Sequence, residues 1–325
     1  MEVKVLHVFR LIKLCLIALI LVSLASCGPS EDEGGEQRSR IRFEVIASVQ
    51  EKSLNEISGI EAFSSENGLH THFVVHNDDG DPDLWILDES GDMARKLEIK
   101  GAKNRDWEDL TLIHREGQTL LTVGDIGDNL GIRSSIRLYF IEWPPLQKST
   151  SFEKHHKLKL TYPDGARDCE AMAYDPSTDR LLFMTKRDKP PRLYSLDVSQ
   201  ALKASEMELD FLGTVASLRP PTREDLRQFG KDGSWISQPT GMDISDDGSM
   251  AAVITYRSLY LFERKSNQTW EEVFTTRPRE FLGPVSNSEE AIAFDVNNQA
   301  VIISSEDQPA PIFRAELPAP ATDQK

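Results

Sequence analysis

The chain has 325 residues, 39% of them hydrophobic and 28% charged, with 53 Asp and Glu against 37 Lys and Arg and a net charge of −16. An acidic balance of this size, with no basic stripe carrying interleaved aromatics, argues against a nucleic-acid partner. There is also no Gly-rich phosphate loop and no Gly-x-Ser-x-Gly elbow, which argues against a P-loop NTPase and a serine esterase of the common kind.

Lys4, Arg10 and Lys13 precede an apolar run from Leu14 to Ala25 broken only by Ser23, the layout of a signal peptide over residues 1–26. The run falls short of the roughly 20 residues that a spanning helix needs. It ends in Leu24-Ala25-Ser26-Cys27, which resembles the bacterial lipobox. The resemblance implies cleavage ahead of Cys27 and a lipid on its thiol, and hence stable attachment to a membrane of the cell envelope. An Asp after the Cys would resemble an inner-membrane retention signal; Gly28 stands there, so the outer membrane is expected if the cell is Gram-negative. The polar stretch from Cys27 to residue 40 is expected to be a flexible tether. Loss of residues 1–26 removes three Lys or Arg and one Glu, which leaves 34 basic against 52 acidic residues, a net of −18 that attracts cations. Cys15 departs with the signal and Cys27 is consumed by lipid. Cys169 is then without a partner, no disulfide framework exists, and the fold rests on its own core.

From residue 41 to the end, one pattern recurs: a small or acidic residue, a small residue, an apolar run, a turn and a second β-rich run. The five copies begin at Ser58-Gly59-Ile60, Glu108-Asp109-Leu110, Glu170-Ala171-Met172, Thr240-Gly241-Met242 and Glu290-Ala291-Ile292. Turn chemistry follows each first run, as Asn67-Gly68, Glu116-Gly117, Asp175-Pro176-Ser177, Asp247-Gly248 and Asn297-Asn298, so each copy reads as a hairpin. A third strand follows in every copy. A fourth is expected at Lys96 to Ile99, Lys157 to Tyr162, Met207 to Val215 and near Val273 and Phe274. The last copy lacks a fourth strand of its own, but Phe43, Val45, Ala47 and Val49 alternate with period 2 near the other end of the chain. An N-terminal strand closing the final blade would remove the open sheet edges. The expected fold is therefore all-β, a propeller of five four-stranded blades over residues 41–325. Six blades is the alternative if Pro220 to Gln238 hides a degenerate unit, although Pro220-Pro221-Thr222 reads better as an inserted loop with a short helix.

The segments Asp168-Cys169-Glu170-Ala171-Met172-Ala173-Tyr174-Asp175 and Glu290-Ala291-Ile292-Ala293-Phe294-Asp295, the latter leading to Ile303-Ser304-Ser305-Glu306-Asp307, resemble the phytase-like β-propeller proteins of bacterial envelopes. That resemblance implies a propeller with acidic channel residues able to hold calcium. The Asp-Pro-Ala-Ile-Trp strand of the phytases is missing and the blade count is lower than theirs, so their activity does not carry over. The gluconolactonase-like propellers, with one divalent metal in the channel, are similar in residue types only.

In a propeller the first strand of each blade lines the channel, and its start shares a face with the turn joining the second and third strands. Strand starts contribute Glu56, Ser58, Arg105, Asp106, Glu108, Arg167, Asp168, Glu170, Gln238, Thr240, Glu289 and Glu290 to that face. The turns contribute Asn77, Asp78, Asp125, Asp128, Asn129, Lys186 to Asp188, Tyr256, Arg257, Glu306 and Asp307. Arg-Asp-x-Glu occurs twice, at Arg105 to Glu108 and Arg167 to Glu170, and its Asp and Glu lie two apart on one face of an extended segment. Glu108, Asp125, Glu170, Glu290 and Glu306 are candidate ligands for a divalent cation, with calcium expected because the donors are all oxygens. Arg105, Arg167, Lys186, Arg187 and Arg257 are candidate contacts for an anionic or polar ligand: a small molecule, a glycan or an envelope protein. Two functions suit this rim. One is binding alone. The other is metal-dependent hydrolysis of phosphate esters or lactones, with Glu108 and Glu170 as catalytic acid or base. The same charges could also simply pair and fix the blades.

Weaker signals are the Asp-rich turns 77–83 and 124–129, which lack the bidentate Glu of a calcium loop. His70, His72 and His76 share one face of an extended run without a completing ligand, and Trp107 could stack on a ring or fill a blade interface. Cys169 beside Glu170 is a poor nucleophile.

Overall fold

The computed structural model describes residues 41–65, 68–144, 149–284 and 288–318; the signal peptide expected over residues 1–26, Cys27 and the tether expected up to residue 40 lie outside these residues. The strands form five small sheets, which are the blades of a five-bladed propeller. β1 (Phe43–Val49) comes first in the chain and belongs to the last blade. Blade 1 holds β2 (Ile57–Ser64), β3 (Thr71–Asn77), β4 (Asp83–Asp88) and β5 (Met93–Ile99). Blade 2 holds β6 (Trp107–Arg115), β7 (Gln118–Asp125), β8 (Ile136–Trp143) and, after the short β9 (Ser151–Phe152), β10 (His156–Thr161). In blade 3 are β11 (Cys169–Asp175), β12 (Arg180–Thr185) and β13 (Arg192–Asp197), then, beyond helix α1 (Val198–Ala201) and β14 (Glu206–Glu208), β15 (Asp210–Thr214). Blade 4 begins after α2 (Arg223–Phe229) and comprises β16 (Pro239–Ile244), β17 (Met250–Thr255) and β18 (Ser258–Glu263), with β19 (Arg279–Leu282) following α3 (Trp270–Val273). Blade 5 is β20 (Glu289–Phe294), β21 (Ala300–Ser305), β22 (Ala310–Glu316) and β1.

The closing strand behaves as its pattern requires, with one interruption. β1 pairs antiparallel with β22 from Phe43 opposite Ala315 to Val49 opposite Ala310. A bulge at Ile46 breaks the period-2 alternation, so Ala47 and Val49 are buried while Val45 is exposed. The inner hairpins follow their turn chemistry: Glu116 and Gly117 both adopt positive φ, 50° and 77°, the type I′ geometry that matches the twist of β6 and β7.

Two outer strands depart from expectation. The segment 207–215 splits at Leu209: β14 adds in parallel to β10 of blade 2, and β15 completes blade 3. The fourth strand of blade 4 is β19, not the stretch around Val273 and Phe274. Thr269 and Glu272 form a capping box there, and the short helix α3 buries Trp270 and Val273 instead. The stretch 220–238 is an insertion, as its composition predicts, with Thr222 capping α2 through Asp225. Five apolar clusters hold the ring together, one at each seam between neighbouring blades. Burial of these faces is the main stabilising term, because one free cysteine and no disulfide occur among the described residues.

Candidate functional site

Each innermost strand carries a β-bulge at the same place. In β2, β6, β11, β16 and β20 one residue faces no partner in the next strand, and these residues are Ser58, Glu108, Glu170, Thr240 and Glu290. A bulge kinks the strand and re-aims the extra side chain. Five bulges at equivalent positions therefore define one level of the channel, its first mouth, where three glutamates and two hydroxyl residues recur in blade order.

All five residues are buried. Ser58 donates its hydroxyl to Glu108, to the backbone oxygen at 3.0 Å and to Oε2 at 3.1 Å. Thr240 donates in the same manner to the backbone oxygen of Glu289 at 2.7 Å. Lys186, at the start of the β12 to β13 turn, makes an ion pair with Glu170 and approaches Glu290 to 3.7 Å. It also donates to the Tyr256 hydroxyl at 3.0 Å, and Tyr256 in turn donates to Glu290. Arg187 meets Asp168 at 2.5 Å and reaches Asn129. One oxygen from each of Glu108, Asp168 and Glu170 lies within 4.8 Å of the others, the spacing at which one ion can touch all three. Gly127 leaves the room this needs, because a Cβ there would stand 2.2 Å from Glu108 Oε1 and 2.6 Å from Asp106 Cγ.

The electrostatics follow from crowding carboxylates out of water. Burial, then the charge of Glu170, pushes the Glu108 carboxyl well above its ordinary range. Burial raises Glu170 to about 7 against the pull of Lys186, and burial followed by Asp168 raises Asp106 to about 6. Glu290 is raised well above its ordinary value, again by burial first, and its Oε2 has no hydrogen-bond partner. Burial alone would lower the Lys186 ammonium, but Glu170 and Glu290 hold it well above its ordinary value. The mouth thus holds carboxyl groups that bind their protons more tightly than they would in water.

The structure gathers some of the residues expected at this rim and separates others. Glu108, Glu170, Glu290 and Lys186 form the centre, with Asp168 and Arg187 beside them. Glu306 acts electrostatically on Glu290 and Tyr256 and stands at the same mouth. Asp125 is instead tied to Arg133 at 2.7 Å and to Arg137 at 3.7 Å. Arg105 is exposed. Arg167 is held by Asp164 and Asp188, both at 3.4 Å. Arg257 is committed to Asp225 of α2 and to the Arg219 backbone oxygen, so it anchors the insertion. The turn 124–129 is organised by its own acids: Asp128 accepts the Ile132 and Arg133 amides at 3.0 and 2.7 Å. In the other Asp-rich turn Asp83 is paired with Lys96, while Asp78 and Asp79 lie near Glu56. The histidines do not converge: His76 is buried edge-on against Trp107, His72 stacks on Phe63, and His70 is exposed beside Glu89. Trp107 fills the seam between blades 1 and 2, with Nε1 donating to the Lys103 backbone oxygen at 3.1 Å. The Cys169 thiol is buried, which pushes it far from the thiolate range.

Three buried carboxylates escaped the sequence reading, and they sit deeper in the channel. Glu61 accepts the Leu112 amide at 2.9 Å, Asp109 accepts that of Met172 at 2.8 Å, and Asp243 accepts that of Phe294 at 2.7 Å. Each link crosses a seam to the next blade. The inner edge of an innermost strand has no neighbouring strand, so its amides need other acceptors. The available signal was an acid inside an otherwise apolar first strand, three residues past the bulge in Ser58-Gly59-Ile60-Glu61 and Thr240-Gly241-Met242-Asp243.

The family model described as SdiA-regulated matches residues 37–219, more than half of the chain. No curated protein matches the chain.

Proposed function

This chain belongs to the SdiA-regulated family, and from that premise we propose that it is a lipid-anchored extracytoplasmic propeller that binds a divalent cation and a polar or anionic ligand at its first channel mouth. The lipid would sit on Cys27, and residues 28–40 would let the blades stand off the membrane. Glu108, Asp168 and Glu170 would hold the cation, and their oxygen-only donor set suits calcium. Lys186 and Arg187, at the edge of the same ring, would meet the negative or polar groups of a small molecule, a glycan or an envelope protein.

The observation that carries this reading is the coincidence of the five bulges with the ring of glutamates. Bulges spoil strand pairing and are concentrated where a side chain must be aimed, and the buried carboxylates they carry here repel one another. The test is calorimetric titration of calcium into the full chain after EDTA treatment. Saturable binding that is lost in Glu108→Gln combined with Glu170→Gln is the expected result. An absence of binding in the wild type would leave the ring as an ion-pair network that fixes the blades.

A second reading, metal-dependent hydrolysis, draws on one feature: Glu170, near 7, stands within reach of Glu108 and Lys186, so it could exchange a proton at neutral pH. Calcium-dependent turnover of a phosphate ester or a lactone, lost in Glu170→Gln at unchanged folding, would favour it over binding alone.

A further inference from the structure

The closing strand begins in an apolar surface. β1 runs from the far end of the channel, where Phe43 lies opposite Ala315, to the first mouth, where Val49 lies opposite Ala310. At the far end Ile41, Phe43, Met250, Phe313 and Leu317 pack against the seam between blades 4 and 5, yet all five stay half-buried. Val45 stands opposite Phe313 in the register, so the two share a face of the sheet, and Val45 is 58% exposed. Leu317 is fixed in place by donating its amide to the Gln299 backbone oxygen at 2.8 Å, beside the β20 to β21 turn. Among the described residues, three of the other seams leave one such half-buried apolar side chain each. Apolar side chains gathered at one place on a surface mark a contact with something else.

We propose that this patch lies on the surface of the bilayer that holds the protein, an inference that rests on the lipid anchor at Cys27 proposed above. The chain itself limits what else could cover the patch. Residues 28–40 contain no large apolar residue, and residues 319–325 offer nothing larger than Pro320 and two alanines beside polar residues. The apolar run from Leu14 to Ala25 departs with the expected signal peptide. Thirteen residues separate Cys27 from Ile41, and they enter the blades at the patch itself. A tether this short holds the patch over the lipid at an effective concentration on the order of millimolar, so that even a weak apolar contact is occupied. Charge favours the same side. Arg38, Arg40 and Arg42 precede β1, and each arginine close to an anionic lipid surface strengthens binding about fivefold. Of the acids on β1 and β22, Glu316 is paired with Arg314, which leaves Glu44 against the three arginines. Docked in this way, the first mouth lies at the end of the blades remote from the bilayer, and its ligand reaches it from the aqueous side.

The test uses the full lipid-bearing chain on vesicles of phosphatidylethanolamine and phosphatidylglycerol, with an environment-sensitive fluorophore attached at Val45→Cys or, as the control, at Leu130→Cys. Leu130 is 76% exposed in the β7 to β8 turn at the first mouth, and Cys169 is fully buried and takes no label. Val45 is exposed, so the substitution keeps the wild-type melting temperature. Emission from position 45 is expected to shift to the blue and to resist quenching by aqueous iodide, while position 130 does neither. A lipid-bearing chain whose probe at 45 is as open to iodide as the probe at 130 would overturn the docked face and leave the anchor standing. A chain that mass spectrometry shows to carry no lipid would overturn both. In Cys27→Ser, which takes no lipid, the probe at 45 is expected to be open to iodide in solution. Shielding there would mean that a second copy of the chain covers the patch, and would overturn the bilayer as its occupant.

Discussion

Asp109 of β6 and Met172 of β11 are joined across a blade seam, the Asp109 carboxylate accepting the Met172 amide at 2.8 Å while its other oxygen takes the Leu110 amide at 2.9 Å. Neither strand has a neighbour on its channel side, so the side chain does for these amides what a further strand would do. Asp109→Ala removes the acceptor of the Leu110 and Met172 amides and of the Met242 amide at 3.4 Å, and should cost about 1–3 kcal/mol for each amide left without an acceptor. Asp109→Asn retains one acceptor oxygen and should lose less. Urea unfolding followed by tryptophan fluorescence measures both; equal stability of wild type and Asp109→Ala would show that the link does not hold the ring.

Stability should fall as pH rises through neutrality when no divalent cation is present. Burial raises Glu170 to about 7, Asp243 to about 7 and Asp78 to about 8, each above its unfolded value, so the folded chain binds more protons than the unfolded chain. Stability from these groups is full below the unfolded pKa values and is lost as pH climbs through the folded ones. His76 acts in the opposite sense over a lower window: burial depresses it to about 4, so its contribution is lost as pH drops below 6.5. Melting in EDTA at pH 6.5 and at pH 8 isolates the carboxyl groups. A lower melting temperature at pH 8 is expected; a higher one would contradict the sign.

Gly127→Ala should weaken the calcium binding proposed for the first mouth by about tenfold or more, since the new methyl displaces two carboxylates and one lost ionic contact alone is worth about that factor. The collision is with Glu108 Oε1 at 2.2 Å and Asp106 Oδ2 at 2.7 Å, both flexible ends, so the fold itself survives. Titration of the variant beside the wild type reads this directly, and an unchanged affinity would place the cation elsewhere.

Gly59 faces His76, and a Cβ at Gly59 would stand 2.4 Å from the imidazole Nε2. Gly59→Ala should therefore cost about 1–3 kcal/mol by overpacking. Combined with His76→Ala, the two losses should fall short of their sum, because removing the ring removes the collision. A double-mutant cycle by urea unfolding that shows strict additivity would exclude this contact as the cause.

The sequence by itself determined the blades. Period-2 runs, turn residues and five Glu-small-apolar or hydroxyl-small-apolar starts are local features, each dictated by one strand or one hairpin, and they fixed the number of repeats and the role of Phe43–Val49 as the closing strand. The residues of the first mouth were legible for the same reason, since every blade presents the start of its inner strand to one rim. Only the tertiary structure decided which of those charges share a space. Lys186 lies between Glu170 and Glu290, 120 residues apart in the chain. Arg167 and Arg257, by contrast, are drawn off to Asp164, Asp188 and Asp225, pairings that depend on turns and on the insertion. The deeper carboxylates Glu61, Asp109 and Asp243 were hidden because a buried acid is explained only by the amide it satisfies, and here that amide belongs to the next blade. The cavity that Glu61 and Asp243 line together with Trp143 arises only when the ring closes, because no single blade encloses it.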